Sequence, residues 1–353
     1  MLTIQSKSHP YAVEEFVDLK SALTPFSRPG VFCLADKQVY SLYEKDFTDT
    51  LPAERILQVE ATEQQKSFES IAPLFVWLLK NGLKRDGVLL VVGGGVLQDI
   101  GCFIASVLFR GVRWELIPTT LLAQCDSCIG SKSSINIHSY KNQIGTFYPP
   151  HRVCMTYSVL KTLPWDEIRS GLGEAIKLHL LTSETAFVEL MKDLSSVKEN
   201  PQVLPKWVAS SLEIKKVYIE QDEFDKGIRN ILNYGHTFGH AYESATHYGI
   251  PHGIAVSLGM LTATYVSSRL GLVTLEHFQQ LKTQLQPWYT PYEKELKKVN
   301  LEEIYSAIKM DKKNTKDSVN CILTKGFGAM EKTPVHMENQ LKPMIRDFIQ
   351  EHC

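Results

Sequence analysis

Short apolar runs alternate with amphipathic stretches along the first half of the chain. Residues 30–36, 55–60, 87–92 and 114–118 have the pattern of strands, and residues 87–92 are apolar throughout, as in a strand covered on both faces of a parallel sheet. Residues 68–81 and 97–109 carry apolar residues at helical spacing. The alternation predicts an α/β domain of the Rossmann-like type with a parallel sheet.

The second half of the chain has a different pattern, in which helical periodicity dominates. Helices are predicted over residues 165–182, 186–197, 205–221, 233–248, 252–270, 274–285, 301–310 and 339–352. Residues 318–323 are predicted to form the only strand there. The chain is therefore expected to form an α/β domain over residues 1–163 and a mostly α-helical domain over residues 164–353.

Composition limits the classes of function. The chain of 353 residues has 38 Lys and Arg against 39 Asp and Glu, a formal charge of −1, which argues against nucleic acid or an anionic membrane as partner. Its seven cysteines are an odd number in a long chain, which argues against a disulfide framework. The N-terminus lacks the apolar stretch of a signal peptide, and no apolar run is long enough to span a bilayer. A cytoplasmic enzyme is expected.

Three consecutive glycines, Gly93, Gly94 and Gly95, stand between a predicted buried strand and a predicted helix. Such a turn lets backbone N–H groups approach a pyrophosphate at a helix N-terminus, but it could equally be a tight turn without a ligand. The third glycine position of the usual dinucleotide fingerprint is Gln98. Asp99 and Asp36 are candidates for contacts to a cofactor ribose.

Histidines and a carboxylate form a candidate metal site. His236 and His240 are four residues apart on a predicted helix, His252 opens the next helix, and Glu174 precedes Lys177 by three residues. Imidazole nitrogens with a carboxylate oxygen form a typical catalytic set for a divalent ion. The alternative is a chance pair of hydrogen-bonded histidines. A rival pair, Cys125 and Cys128, lacks a second cysteine pair and is interpreted as packing.

Several cationic or amide side chains lie in short polar segments that contain glycine. Most surface lysines are simply solvated, which is the alternative interpretation. A substrate with both a phosphate and a carboxylate would need such a cluster. Its members are Arg110, Lys132, Lys141, Asn142, Lys215, Arg229, Lys312 and Lys313.

Blocks of residues that follow one another along most of the chain resemble the 3-dehydroquinate synthases, within the sugar phosphate cyclases. They cover residues 93–99, 109–113, 118–126, 130–136, 141–145, 174–177 and 227–240, together with His252 and Gly253. The resemblance implies a homodimeric enzyme that uses NAD and a divalent metal, Zn²⁺ or Co²⁺. It also implies a small phosphorylated sugar-acid substrate, 3-deoxy-arabino-heptulosonate 7-phosphate. The implied reaction is NAD-mediated oxidation, phosphate elimination, reduction and aldol closure.

The resemblance also assigns roles to individual residues. The implied metal ligands are Glu174, His236 and His252. The residues implied to contact NAD are Asp36, Glu63, Lys66, Gly93, Gly94, Gly95, Asp99, Thr119, Thr120, Lys141 and Thr162. Arg110 is implied to reach the substrate phosphate, either in its own subunit or in a neighbouring one. The other residues implied to contact the substrate are Asp126, Lys132, Asn142, Lys177, Lys215, Arg229, Asn233, His240 and one of Lys312 and Lys313.

Some positions depart from the family pattern and keep other functions open. Ser131, Ser133 and Ser134 replace the usual glycine, threonine and glycine around the pocket lysine, and Ile254 replaces an acid. A sibling cyclase that acts on another phosphorylated ketose is one alternative. A metal- and NAD-dependent polyol dehydrogenase is another, although a neutral polyol needs no cationic cluster. A non-catalytic binding protein ranks last, because no identified catalytic position is lost.

Overall fold

A parallel sheet organises the first part of the molecule. The computed structural model describes residues 1–138, 140–309 and 317–352. Within these residues the chain forms two compact units, the first of Met1–Pro164 with Lys215–Phe224 and the second of Trp165–Ile214 with Asp225–Cys353. The predicted boundary after residue 163 is close to the first change of unit, but it does not anticipate that residues 215–224 belong with the first unit.

The sheet of the first unit contains seven strands among the described residues, in the order β1-β2-β9-β6-β5-β3-β4. All neighbouring pairs are parallel except β1 with β2. The strands are β1 (Leu2–Ile4), β2 (Tyr11–Glu15), β3 (Val31–Asp36), β4 (Ile56–Val59), β5 (Val88–Gly93), β6 (Arg113–Pro118) and β9 (Arg152–Met155). A separate antiparallel pair consists of β7 (Ile135–Ile137) and β8 (Tyr140–Ile144).

The apolar run predicted as a doubly covered strand is the centre of this sheet. Every residue of β5 is buried, and β5 lies between β3 and β6. Helix α5 packs against β5, and a Cβ added at Gly101 of α5 would lie 2.3 Å from a methyl carbon of Val91. The helices of this unit are α1 (Leu19–Leu23), α2 (Lys37–Leu42), α3 (Glu44–Thr48), α4 (Phe68–Lys80) and α5 (Gly95–Val107).

The second unit is mostly helical, as expected. Its helices are α6 (Trp165–Leu180), α7 (Glu184–Leu194), α8 (Leu204–Gln221), α9 (His236–Ala245), α10 (His252–Arg269), α11 (Leu275–Tyr289), α12 (Glu293–Lys297), α13 (Leu301–Lys309) and α14 (Lys342–His352), of which α8 ends in the segment assigned to the first unit. Both parts of the predicted fold class, a parallel-sheet α/β portion and a helical portion, are confirmed.

Helix α10 forms the core of the second unit. Residues 253–267 are all buried, and α10 contacts α6, α9 and α11. Its buried hydroxyl groups need hydrogen-bond partners, and they find them within the helix. Ser257, Thr262, Thr264 and Ser267 each donate to the carbonyl oxygen four residues earlier. A helix rich in hydroxyl groups is thereby accommodated in an apolar core.

One feature of the sequence pattern was interpreted wrongly. Residues 318–323 were expected to form the only strand of the second half, but β10 (Ser318–Thr324) pairs with a second strand, β11 (Met330–His336), in an antiparallel ladder. Strand β11 contains Pro334 and two charged residues and has no alternating apolar pattern, so the pairing with β10, rather than its own periodicity, makes it a strand. None of the helices in the described part of the chain is long and apolar enough to cross a membrane.

Candidate active site

The carboxylate and histidines predicted to bind a metal ion come together in the second unit. Glu174 on α6 is buried, and its Oε1 lies 3.5 Å from Nε2 of His236 and 3.4 Å from Nε2 of His252. Two ligand atoms about 2.1 Å from an ion at the tetrahedral angle are about 3.4 Å apart. Among the described residues, Oε1 of Glu174 has no hydrogen-bond partner. A buried oxygen in this state, facing two ring nitrogens, fits a divalent cation.

His240 belongs to the same cluster but lies at its edge. The candidate ligand atoms of His236, His240 and His252 all lie within 4.8 Å of one another, and His240 is exposed. Two ligand sets therefore share His236 and His252 and differ in whether Glu174 or His240 completes them. The family resemblance assigns His240 to the substrate instead, and that assignment stays a prediction.

Lys177 gives the cluster its charge balance. Its ammonium group forms an ion pair with Oε2 of Glu174, and both side chains are buried. Burial alone would raise the pKa of Glu174, but the positive charge of Lys177 opposes burial and holds that pKa well below its usual value. Burial and then the charge of Lys177 lower the pKa of His236 well below its usual value. Glu174 is therefore ionised and His236 neutral, as metal ligands must be.

Hydrogen bonds on the far side of each ring orient the two histidines. Nδ1 of His236 lies 3.4 Å from the carbonyl oxygen of Tyr234, and Nδ1 of His252 lies 3.1 Å from Oε2 of Glu243. Burial by itself lowers the pKa of His252, but the nearby carboxylates of Glu174 and Glu243 outweigh it and raise the pKa to about 10. Without an ion the ring is therefore protonated on both nitrogens, and a bound cation would take the place of the proton on Nε2. Glu243 was not singled out in the sequence, although it stands seven residues after His236 and thus on the same helical face.

Two predicted substrate residues precede α9 in the second unit. Arg229 and Asn233 lie in a 3₁₀ segment, Ile228–Asn233, where Arg229 is buried and the side-chain amide of Asn233 donates to the carbonyl of Asn230. Gly235 then takes a left-handed φ of 82°, which favours glycine, and α9 begins at His236. One continuous segment therefore supplies Arg229, Asn233, His236 and His240.

The predicted cofactor residues follow the carboxyl ends of adjacent parallel strands in the first unit. Asp36 ends β3, Gly93 ends β5 and Thr119 follows β6. Ligands of open α/β sheets bind at this edge. Helix α5 begins at Gly95 without a side-chain cap, and a Cβ added at Gly94 would lie 2.7 Å from Cγ2 of Thr120. The turn has a helix N-terminus without a capping side chain and no room for a side chain at Gly94, which fits a bound pyrophosphate.

A chain of charged groups extends from this turn. Nζ of Lys66 lies 3.1 Å from Oδ2 of Asp99, and Oε1 of Glu63 lies 3.7 Å from Lys66 and 3.5 Å from Lys141. Ser134 also donates to Oδ2 of Asp99, at 2.8 Å. Burial raises the pKa of Asp99, and Lys66 and Ser134 oppose that shift. The structure thus brings together four of the residues assigned to NAD, and Ser134 joins them.

Other residues assigned to NAD make local contacts near the ends of elements. Oδ1 of Asp36 accepts hydrogen bonds from the backbone N–H groups of Gln38 and Val39 and so caps α2. Thr119 is buried, Thr120 accepts from the N–H of Ala123, and Thr162 is hydrogen-bonded to Tyr43. Their roles toward a cofactor remain predictions.

The remaining predicted substrate residues of the first unit differ in exposure. Lys215 is buried, with Nζ 2.9 Å from Oδ1 and 2.7 Å from the carbonyl oxygen of Asp126. Lys132, Asn142 and Arg110 are exposed. Arg110 has a φ of 63°, in the left-handed region. Lys312 and Lys313 lie outside the described residues.

The cysteine pair has the environment of packing residues. Cys125 and Cys128 are buried, and burial raises the pKa of the Cys128 thiol to about 12. A thiol held protonated in this way is a poor nucleophile and a poor metal ligand.

Solved structures of known enzymes share the fold of this chain. One of them is 2-deoxy-scyllo-inosose synthase complexed with carbaglucose-6-phosphate, NAD⁺ and Co²⁺. It superposes on this chain with a TM-score of 0.85 at 22% identity, and the match covers 98% of this chain and 99% of the synthase. A 2-epi-5-epi-valiolone synthase from Streptomyces hygroscopicus subsp. jinggangensis, with NAD⁺ and Zn²⁺ bound, gives 0.83 at 21% identity over 96% of this chain and 97% of its own. The chain therefore has the fold of these two synthases.

Sequence comparison defines the family. The 3-dehydroquinate synthase N-terminal model matches residues 56–170, and the C-terminal model matches residues 171–314. A 3-dehydroquinate synthase from Dictyoglomus thermophilum is 37% identical over 306 residues, 85% of this chain and 84% of its own. The chain belongs to the 3-dehydroquinate synthase family, and the resemblance stated from the sequence blocks is confirmed.

Proposed function

We propose that the chain is a 3-dehydroquinate synthase, which converts 3-deoxy-arabino-heptulosonate 7-phosphate to 3-dehydroquinate and phosphate with NAD and a divalent metal. The observation that carries the proposal is the convergence of Glu174, His236 and His252 in a chain of this family. When bound, the two groups would supply polarisation of a substrate oxygen and reversible acceptance of hydride. The substrate contributes the leaving phosphate.

Residues of the chain are placed to hold the metal ion, the substrate and NAD, and to balance their charges. Glu174, His236 and His252 are the proposed ligands, and Lys177 balances the carboxylate. The buried guanidinium of Arg229 suits a substrate carboxylate, which it can bind through two parallel hydrogen bonds. In the first unit the turn at Gly94, with Lys66 and Asp99, is proposed for NAD.

Two of the three serine positions that depart from the family pattern do not favour a different substrate. Ser133 is hydrogen-bonded to Thr146, Oγ to Oγ1 at 2.9 Å, and Ser134 donates to Asp99. Hydroxyl groups satisfied by internal partners do not add new donors for a substrate. Ser131 is buried and its hydroxyl has no hydrogen-bond partner among the described residues, so a comparison of substrates is needed to test this position.

The decisive experiment is turnover with purified full-length protein. We expect chelator-treated protein to regain activity with Co²⁺ or Zn²⁺ and a catalytic amount of NAD, releasing one phosphate per 3-dehydroquinate. Parallel reactions with sedoheptulose 7-phosphate and glucose 6-phosphate test the sibling cyclases. Phosphate release from one of these two substrates, and not from the heptulosonate, would show that the protein is a sibling cyclase. Steady accumulation of NADH from a polyol would show that it is a dehydrogenase.

We also propose that the enzyme acts as a homodimer in the cytoplasm. The described cysteines at positions 33, 102, 125, 128, 154 and 321 are thiols rather than disulfides, as expected in a reducing compartment. Arg110 is exposed, as a residue that reaches a neighbouring subunit would have to be. The molar mass measured by light scattering during size-exclusion chromatography tests this proposal. The mass of a monomer at micromolar protein concentration would contradict it.

A further inference from the structure

Helix α9 carries a glutamate, Glu243, on the same face as its two histidines. His236, His240 and Glu243 are spaced four and then three residues apart, so all three lie on one face of α9. The side chain of Glu243 is 14% exposed, so its carboxylate needs partners. Oε2 of Glu243 lies 3.1 Å from Nδ1 of His252, which opens α10. The carboxylate thus links the two helices behind the proposed ligands.

This contact fixes which nitrogen of His252 faces the cluster. A carboxylate only accepts hydrogen bonds, so Nδ1 of His252 carries the hydrogen that Glu243 accepts. The other nitrogen, Nε2, faces Oε1 of Glu174 at 3.4 Å. Once a bound cation has displaced the proton on Nε2, the hydrogen kept on Nδ1 leaves the lone pair of Nε2 directed toward the place where the three ligand atoms converge.

The second histidine ligand has a weaker arrangement. Nδ1 of His236 lies 3.4 Å from a neutral carbonyl oxygen, that of Tyr234. The longer contact to an uncharged acceptor orients the ring but polarises it less than an anion does. The two ligands are therefore unequal, and His252 is the one whose basicity a carboxylate increases.

We propose that Glu243 is a positioning residue of the metal site, which holds His252 in its ligating tautomer and increases its affinity for the ion. The proposal rests on the proposed function, because it requires that the cluster bind a divalent metal. Carboxylate partners of metal-bound histidines typically contribute 10- to 100-fold in metal affinity. No contact of Glu243 with substrate is needed.

The test measures metal affinity in the absence of substrate and NAD. Chelator-treated protein is titrated with Co²⁺, and binding is followed by the visible absorption of the bound ion and by calorimetry. We expect Glu243→Ala to bind Co²⁺ about 10- to 100-fold more weakly than the parent protein, with a changed absorption spectrum. Glu243→Gln should lie between the two, because its amide oxygen still accepts from Nδ1 but carries no charge. The matched control is Ser244→Ala, an exposed neighbour on α9, which should bind as the parent does.

The outcomes separate this proposal from the one on which it rests. If the parent protein binds no Co²⁺, the metal site itself is wrong and both proposals are overturned. If the parent binds but Glu243→Ala and Glu243→Gln match it within twofold, only the role of Glu243 is overturned. Equal weakening in Ser244→Ala would assign the effect to the stability of α9 and would also overturn the proposal. Should Glu243→Ala not fold, Glu243→Gln decides.

Discussion

The backbones of α6 and α10 touch at Gly173 and Gly253. A Cβ at Gly173 would lie 2.0 Å from the carbonyl oxygen of Gly253, and a Cβ at Gly253 would lie 1.8 Å from that of Ser170. Glu174 directly follows Gly173, and His252 directly precedes Gly253. The contact between two glycines therefore sets the 3.4 Å approach of Glu174 to His252.

Adding a methyl group at this contact should damage both stability and metal binding. In Gly173→Ala the two helices must move apart, which costs about 1–3 kcal/mol or more in the free energy of unfolding. We expect calorimetry to show an unfolding temperature lower by several degrees and a weaker affinity for Co²⁺. Thr185→Ala, an exposed change on α7, is the control. An unchanged unfolding temperature and affinity would mean that the crossing does not set the geometry of the site.

Single substitutions should identify which residue completes the ligand set with His236 and His252. The proposed set predicts that Glu174→Gln and His236→Ala each abolish stoichiometric binding of Zn²⁺ after dialysis, whereas His240→Ala retains the ion. The physical reason is that Glu174 is buried and ionised beside the two Nε2 atoms, while His240 is exposed. Metal content measured by atomic emission distinguishes the sets. Loss of the ion in His240→Ala with retention in Glu174→Gln would favour the three-histidine set.

Much of the site could be predicted because its residues are marked by local spacing. The distance of four residues between His236 and His240 and the glycines beside Gly94 are visible in the sequence alone. The fold class also followed from periodicity, because β5 is apolar on both faces and α10 is not interrupted. Such signals depend on neighbours in the chain.

Contacts between distant segments could not be predicted in the same way. The hydrogen bond from Ser134 to Asp99 depends on how remote parts of the chain meet. The strand β11 is nearer to its partner in the chain, but it forms by pairing with β10 rather than through an apolar pattern of its own. Helix α9 was predicted to start at residue 233, but it starts at His236, because Gly235 takes a left-handed φ before it. Glu243 could have been found, since it shares a helical face with both histidines, but its partner His252 lies on another helix.

The contact between Ser134 and Asp99 predicts a change in NAD binding. Ser134→Ala removes a donor to an anionic acceptor, which is worth about 1.5 kcal/mol or about tenfold in affinity. Burial raises the pKa of Asp99 and Ser134 opposes it, so the pKa should rise further in the variant. If NAD binding needs the ionised carboxylate of Asp99, the affinity for NAD is lost as the pH falls through the pKa of Asp99. Because that pKa is higher in Ser134→Ala, the variant should lose more affinity than the parent protein as the pH becomes more acidic. Fluorescence titration across pH measures it.

The control for this prediction is a serine in the same segment with a different partner. Ser133→Ala removes the hydrogen bond to Thr146 and leaves Asp99 untouched, so NAD affinity and its pH dependence should stay near those of the parent protein. An equal loss in both variants would indicate a general disturbance of the segment. A Ser134→Ala variant with unchanged affinity at every pH would remove Asp99 or Ser134 from the cofactor site.

Arg229 should select the substrate by its carboxylate. Its buried guanidinium can form two parallel hydrogen bonds with a carboxylate, and loss of a charged hydrogen bond costs about 1.5–3 kcal/mol. We expect Arg229→Ala to weaken binding of the heptulosonate about 10- to 100-fold, with little change for NAD or for an analogue that lacks the carboxylate. Arg229→Lys should recover only part of the affinity, because an ammonium group keeps the charge but loses the planar fork. Arg269→Ala, an exposed change on α10, is the control. Equal losses for the heptulosonate, the analogue and NAD in calorimetric titrations would show that Arg229 supports the fold rather than the carboxylate.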